Sequence, residues 1–139
     1  MYFAVNIEKE TLENNYYRKV IWTTQYKNMQ LVLMSIPVEQ DIELEVHKEA
    51  DQFIRIEAGQ GELHIGEHEE IKVPIKDGFA LIIERNTYHR IVNVGSTPLK
   101  LYTVYTPAQH KNFEKQKCRE KEKDKKKINK KVLSLFYML

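Results

Sequence analysis

A carboxylate and an imidazole share one face of a predicted strand near residue 45. In Asp41 to His47, Glu43, Glu45 and His47 alternate with apolar residues, which is the period of two of a half-buried strand. Glu45 and His47 should therefore point to the same side. A short turn follows, and a second alternating run begins at Gln52. If the two runs pair as a hairpin, Gln52 returns beside His47, and the three side chains offer oxygen and nitrogen ligands to a divalent metal.

A fourth candidate ligand, His89, lies well downstream. An apolar strand that ends near Ile83 is broken by the run Glu84 to Thr87, and extended character resumes at His89. The sequence thus supplies one carboxylate, two imidazoles and one amide oxygen.

The spacing of the first three residues resembles the first motif of the cupin superfamily. That motif usually reads Gly, five residues, His, one, His, three or four, Glu, six, Gly. Here Glu45, one residue, His47, four, Gln52, six, Gly59 take the corresponding positions. Glu39 stands where the motif opens with Gly.

The spacing around His89 resembles the second cupin motif. That motif usually reads Gly, five residues, Pro, one, Gly, two, His, three, Asn, and this chain has Gly78, Glu84, Asn86, His89 and Asn93 at those positions. Glu and Asn therefore replace the usual Pro and Gly. The resemblance covers roughly residues 20 to 107, most of the chain.

Periodicity by itself predicts an all-β fold. Short alternating or apolar runs bounded by turn residues fill residues 16 to 107, and no convincing amphipathic helix lies between Thr11 and Pro107. Such a pattern is typical of an antiparallel sandwich or barrel. The resemblance implies the specific architecture, a double-stranded β-helix or jelly-roll barrel. Pro74 in a predicted strand favours an edge strand or a strand terminus.

The resemblance also implies that Glu45, His47, Gln52 and His89 bind a divalent metal ion. Zn, Mn, Fe and Ni all remain candidates. One carboxylate leaves the ligand set with a single negative charge, so a bound dication would keep a net positive charge. The alternative is a metal-free pocket. We interpret His64 and His68 as surface residues and His110 as incidental.

Charge divides the chain at about residue 110. Residues 111 to 131 are rich in Lys, whereas the net charge of the whole chain is only +2, so the first part is acidic. We therefore predict a cupin domain over residues 1–110 and a basic, Lys-rich tail over residues 111–139 that ends in a short apolar segment. Acidic residues interrupt the tail and no aromatic pattern accompanies it, which does not favour nucleic acid as a partner.

The sequence predicts a cytoplasmic protein. Residues 1–10 lack the features of a signal peptide, Cys118 is the only cysteine, and no apolar run has the length of a membrane helix. The expected partner is a small-molecule substrate, a sugar or sugar phosphate. The resemblance implies a homodimer, which the sequence itself does not show.

Within the superfamily, the chain resembles small cupins of the mannose-6-phosphate isomerase-like type. The resemblance lies in Glu45-x-His47, in Asp-Gln-Phe-x-Arg-x-Glu at residues 51–57, and in the flanking segments LVLMSIP and PLKLYTVYTP. The resemblance implies a metal-dependent interconversion of aldose and ketose, with Glu43 or Glu84 as candidates for the base. A non-heme iron oxygenase using Glu45, His47 and His89 and a non-catalytic metabolite-binding cupin remain the alternatives.

A phosphorylated substrate would need a cation inside the bowl. Arg55 and Arg90 alternate out of phase with Gln52 and His89 and are expected to face away. Four other cations remain candidates, namely Lys72, Lys76, Arg85 and Lys100.

Overall fold

The structure is a computed structural model that describes residues 1–119. Most of the predicted basic tail and the apolar segment at its end lie outside the described residues. Within residues 1–119, no helix has both the length and the apolar character needed to cross a membrane.

In the described part of the chain, one short helix precedes ten strands. The helix α1 is Ile7–Glu13. The first five strands are β1 Arg18–Thr23, β2 Gln30–Ile36, β3 Asp41–Glu45, β4 Asp51–Ala58 and β5 Gln60–Ile65. The next five are β6 Ile71–Lys76, β7 Ala80–Ile83, β8 His89–Asn93, β9 Leu99–Thr106 and β10 Lys115–Gln116.

The strands form two antiparallel sheets. One has the order β10-β1-β2-β9-β4-β7, and the other has the order β3-β8-β5-β6. Their inward side chains make one apolar core, to which Val32, Ile54 and Leu101 contribute from the larger sheet and Leu63 and Ile91 from the smaller. Burial of this shared face is the main stabilising contribution. The all-β jelly-roll prediction is confirmed.

Residues that alternate in the sequence also alternate in burial. Along β9, Leu99, Leu101, Thr103 and Tyr105 are buried, and the residues between them are partly exposed. Helix α1 packs against β2, β4 and β9 on the larger sheet. Pro74 lies in β6, at one edge of the smaller sheet, where the missing N–H costs no ladder bond to a further strand. The edge prediction is correct.

The predicted hairpin between the Glu45 run and the Gln52 run is wrong. The two strands, β3 and β4, belong to different sheets, since β3 pairs with β8 while β4 lies between β9 and β7. The turn that joins them crosses from one sheet to the other. His47 and Gln52 therefore approach the interior from opposite layers.

Residues 107–119 run back along the barrel. Strand β10 pairs with β1, with Arg18 opposite Gln116. The fully buried side chain of Gln30 fixes the start of this segment. Its amide nitrogen donates to the His110 carbonyl at 2.8 Å, and its oxygen accepts from the N–H groups of Gln109 and His110. The domain boundary at residue 110 stays a prediction, but several described residues beyond it, among them Glu114, Lys115 and Lys117, contact β1 or its flanking residues.

Candidate metal centre

Glu45, His47 and His89 form a compact group inside one end of the barrel. One ligand atom from each lies within 4.8 Å of the other two. Glu45 Oε1 is 3.2 Å from His47 Nε2 and 3.4 Å from His89 Nε2. A carboxylate oxygen and two imidazole nitrogens at this separation can bind one divalent cation.

A β-bulge places Glu45 opposite His89. In the pairing of β3 with β8, Ile42 faces Ile91 and Glu45 faces His89, so three residues of β3 match two of β8. Without the extra residue, strict alternation would put Ile42 and Glu45 on opposite faces. The bulge lets the core residue Ile42 and the candidate ligand Glu45 both reach inward.

His89 is held in one orientation by a backbone contact. Its Nδ1 donates to the carbonyl of Thr87 at 2.9 Å, which leaves Nε2 on the side of Glu45. Such a contact selects the tautomer in which Nε2 carries the free lone pair. The side chain is 1% exposed, so the ring cannot swing out to solvent without disturbing the core.

Gln52 extends inward from the larger sheet. It lies opposite Tyr105 on β9, whose ring is 5.4 Å from the His47 ring. The amide nitrogen donates to Thr103 Oγ1 at 2.9 Å, and Oε1 has no hydrogen-bond partner. His89 Nε2 is likewise buried and lacks a hydrogen bond. Buried polar atoms without partners are rare, and a cation that accepts a lone pair from each would account for both.

The electrostatics keep Glu45 ionised. Burial would raise the pKa of this carboxyl, but the nearby His47 and His89 rings, of which His47 is hydrogen-bonded to it, outweigh burial and lower the pKa to about 2. The group is therefore a carboxylate at neutral pH. The residues present fit a divalent metal ion in both charge and donor type.

Comparisons with known proteins agree with this architecture. Residues 32–105 match the family model described as "Cupin domain". The chain is a cupin. L612 of Acanthamoeba polyphaga mimivirus, an uncharacterized protein, is 43% identical over 109 residues, which are 78% of this chain and 67% of that protein. YrkC of Bacillus subtilis, also uncharacterized, is 40% identical over 111 residues. These are 78% of this chain and 59% of YrkC, so the chain spans less than two thirds of the length of YrkC.

Solved structures of other proteins have a similar fold. The crystal structure of BH2720 from Bacillus halodurans is similar with a TM-score of 0.80 and 39% identity, covering 83% of this chain and 88% of that one. A proposed sugar phosphate isomerase of Acidithiobacillus ferrooxidans has a TM-score of 0.53 and 20% identity, covering 60% of this chain and 53% of that one. At that identity, the second likeness concerns the fold alone.

At two positions where the cupin motifs usually have Gly, this chain has another residue but keeps a backbone conformation typical of glycine. Glu39 and Asn86 stand at motif positions usually held by Gly, and both have φ of 66°. Asn is among the non-glycine residues that adopt this left-handed region most readily. The Asn86 N–H donates to the His47 carbonyl at 2.8 Å. The turn before His89 is thereby fastened to the segment that carries His47.

His110, which was predicted to be incidental, packs beside the centre. Its ring is 5.2 Å from the Tyr105 ring, which also contacts His47. Burial and then the charge of Arg18 lower the pKa of His110 to about 4, so the ring is neutral at neutral pH. His110 reaches this position because residues 107–119 return to the barrel, and no local sequence pattern predicts this contact.

A cavity of about 120 Å³ opens beside Glu45. The side chains that line it include Tyr17, Arg18, Glu43, Glu45, Gln116 and Arg119. Glu43 accepts from Arg119 Nη2 at 2.9 Å. Of the two predicted candidates for a base, Glu43 thus lines this cavity, whereas Glu84 is exposed in the turn before Thr87.

The interpretation of His64 as a surface residue is wrong, while His68 is exposed as expected. The His64 ring is buried between two carboxylates, with Nε2 at 2.6 Å from Glu62 and Nδ1 at 2.8 Å from Glu69. The carboxylates lie on opposite ring nitrogens and so cannot share a cation with the ring.

Of the cations considered for phosphate, Arg85 pairs with Asp51 at the surface.

We predict that Asn86→Ala destabilises the protein by about 1 kcal/mol, because alanine carries the steric cost of positive φ without the local polar contacts of asparagine. Asn86→Gly is the matched control and should be neutral within about 0.5 kcal/mol. Chemical denaturation monitored by tryptophan fluorescence measures both. Equal destabilisation by the two changes would contradict the conformational explanation.

We predict that the metal-free protein loses stability as the pH falls from about 6.5, the ordinary pKa of His110, to about 4, the pKa of His110 in the folded protein. The unfolded chain protonates His110 near pH 6.5, whereas the folded protein does so only near pH 4. The neutral ring therefore contributes its full stabilisation above about pH 6.5. The free energy of unfolding falls by up to about 3 kcal/mol on acidification to pH 4.

The change His110→Gln should flatten this pH dependence, measured as the unfolding free energy at several pH values. His68→Gln, which removes an exposed histidine, is the control and should leave the slope unchanged. The same slope in wild type and His110→Gln would rule out the assigned role of His110.

Proposed function

We propose that this cupin is a metal-dependent isomerase of the mannose-6-phosphate isomerase type, which interconverts the aldose and ketose forms of a sugar or sugar phosphate. The observation that carries the proposal is the convergence of Glu45, His47 and His89 within 4.8 Å, next to a cavity that Glu45 itself lines. Gln52 adds a buried amide oxygen that has no hydrogen bond.

The four side chains would hold the metal ion in distinct ways. Glu45 supplies the only negative charge, His47 and His89 supply ring nitrogens, and Gln52 supplies a neutral oxygen. A divalent ion bound here would act as a Lewis acid toward the carbonyl and hydroxyl oxygens of an open-chain sugar. Because Gln is a weaker donor than Glu, we expect the ion to exchange more readily than in cupins with the usual set.

Aldose–ketose interconversion also needs a group that moves a proton between neighbouring carbons. We assign this role to Glu43. It lines the cavity together with Glu45, and its contact with Arg119 Nη2 fixes the direction of the carboxylate. Glu84 is exposed on the loop before His89 and is the weaker candidate.

The metal requirement is tested by binding. Purified protein stripped with chelator should bind about one equivalent of Mn, Fe, Ni or Zn in equilibrium dialysis. His89→Ala should weaken that binding by about 100-fold or more, because it removes a buried ligand. His68→Ala removes an exposed histidine and should have no effect. Equal binding by both variants would exclude the assigned centre.

The activity is tested with the reloaded protein. Mannose 6-phosphate and fructose 6-phosphate should interconvert with at least one of these metals, and removal of the metal should abolish turnover. Lack of turnover with all four metals would contradict the proposal.

We predict that Glu43→Gln lowers kcat by about 100-fold or more without loss of metal, because general acid–base catalysis typically contributes that much. Glu84→Gln is the matched control and should retain activity. Steady-state kinetics with metal analysis of the same samples measures both. Loss of activity in Glu84→Gln alone would move the base to residue 84.

A further inference from the structure

Arg18 differs from the other four arginines of the chain. Each of the others contacts a carboxylate: Arg55 with Glu57, Arg85 with Asp51, Arg90 with Asp41 and Glu69, and Arg119 with Asp41 and Glu43. Among residues 1–119, no carboxylate forms an ion pair with Arg18. Its positive charge is therefore available to a ligand as far as the described part of the chain is concerned.

The Arg18 side chain is held in place by uncharged partners. Nη1 donates to the side-chain oxygen of Gln116 at 3.0 Å, and the guanidinium carbon lies 5.5 Å from the centre of the Tyr17 ring. All three residues line the cavity beside Glu45. A guanidinium fixed in this way offers planar donors to an oxyanion with little further loss of side-chain freedom.

One donor of Arg18 is unsatisfied. Nε is buried and has no hydrogen-bond partner, which is costly for a charged group. The oxygen of an anion in the cavity would satisfy it. The charge also acts on the interior, since after burial it is the next cause that lowers the pKa of His110.

The cavity contains a second cation, but its charge is balanced. Arg119 contacts both Asp41 and Glu43. Glu45 would be balanced by a metal ion bound at the centre. The remaining local charge would then be positive and located on Arg18 and the ion, which favours an anionic ligand that spans the two.

We propose that Arg18 binds an oxyanion group, a carboxylate or a phosphate, on the substrate whose other oxygens face Glu45, His47 and His89. This inference rests on the proposed function in one respect, because it takes the cavity beside Glu45 as the place where substrate enters. It restricts the substrates to small anionic compounds and makes Arg18 the residue that selects them.

The first test uses the wild-type protein without metal, so that the ion itself cannot bind the probe. Inorganic phosphate and acetate are titrated separately at low salt, and the side-chain Nε–H resonances of the arginines are followed by NMR. The Arg18 resonance should shift in a saturable way while that of surface Arg85 does not. Tighter binding of phosphate would indicate phosphate esters as substrates, and tighter binding of acetate would indicate carboxylates.

The second test compares Arg18→Gln with Arg85→Gln, which removes an arginine outside the cavity. Arg18→Gln should weaken binding of the preferred probe by about tenfold or more, since a charge-assisted hydrogen bond is lost, while Arg85→Gln should not. Metal binding is measured on the same samples and should be unchanged in both. Thermal unfolding checks that each variant is folded, and the wild-type titration decides the matter if Arg18→Gln does not fold.

The outcomes separate the two proposals. If neither probe shifts Arg18, or if Arg18→Gln binds as wild type does, the anion site is wrong whatever the metal data show. If the probe binds through Arg18 but no metal restores isomerase activity, the anion site stands and the proposed isomerase function fails.

Discussion

The candidate centre depends on one contact, a partly buried carboxylate that lies between two imidazoles. Glu45 Oε1 is within 3.4 Å of ring nitrogens of both His47 and His89. Placing a charge in a barrel interior is unfavourable unless it is paired or bound to metal, so the surrounding structure has to hold the partners in position. The β-bulge turns Glu45 inward, the Thr87 carbonyl orients His89, and the Asn86 N–H fastens the two histidine segments together.

Residues 107–119, which follow β9, pack against the barrel near the candidate centre. Gln30 holds residues 109 and 110 against the barrel through both atoms of its buried amide. His110 thereby packs on Tyr105, which in turn contacts His47. Strand β10 then brings Gln116 to Arg18. The described part of the segment that was predicted as a tail thus forms part of the wall of the cavity beside Glu45.

Local sequence patterns predicted the strands and the inward-facing groups well, because burial on one face imposes a period of two. They could not predict which sheet a strand joins, so the supposed hairpin between the Glu45 and Gln52 runs was wrong. The spacing of motif residues in the sequence predicted that Glu45, His47 and His89 lie close together, as they do in the structure. The β-bulge that aligns Glu45 with His89 could not be predicted from composition. Arg18 and His110 were missed because their surroundings form only when residues 107–119 return to the barrel. Their role depends on contacts between distant parts of the chain.

The most direct test is a crystal structure of the metal-loaded protein with data collected on both sides of the absorption edge of the metal. A metal centre built from these side chains should give one strong anomalous peak at about 2.0–2.3 Å from Glu45, His47 Nε2 and His89 Nε2, with Gln52 Oε1 as the fourth ligand. A loaded crystal with no peak there, or with the ion held only by other residues, would show that these side chains do not form the centre.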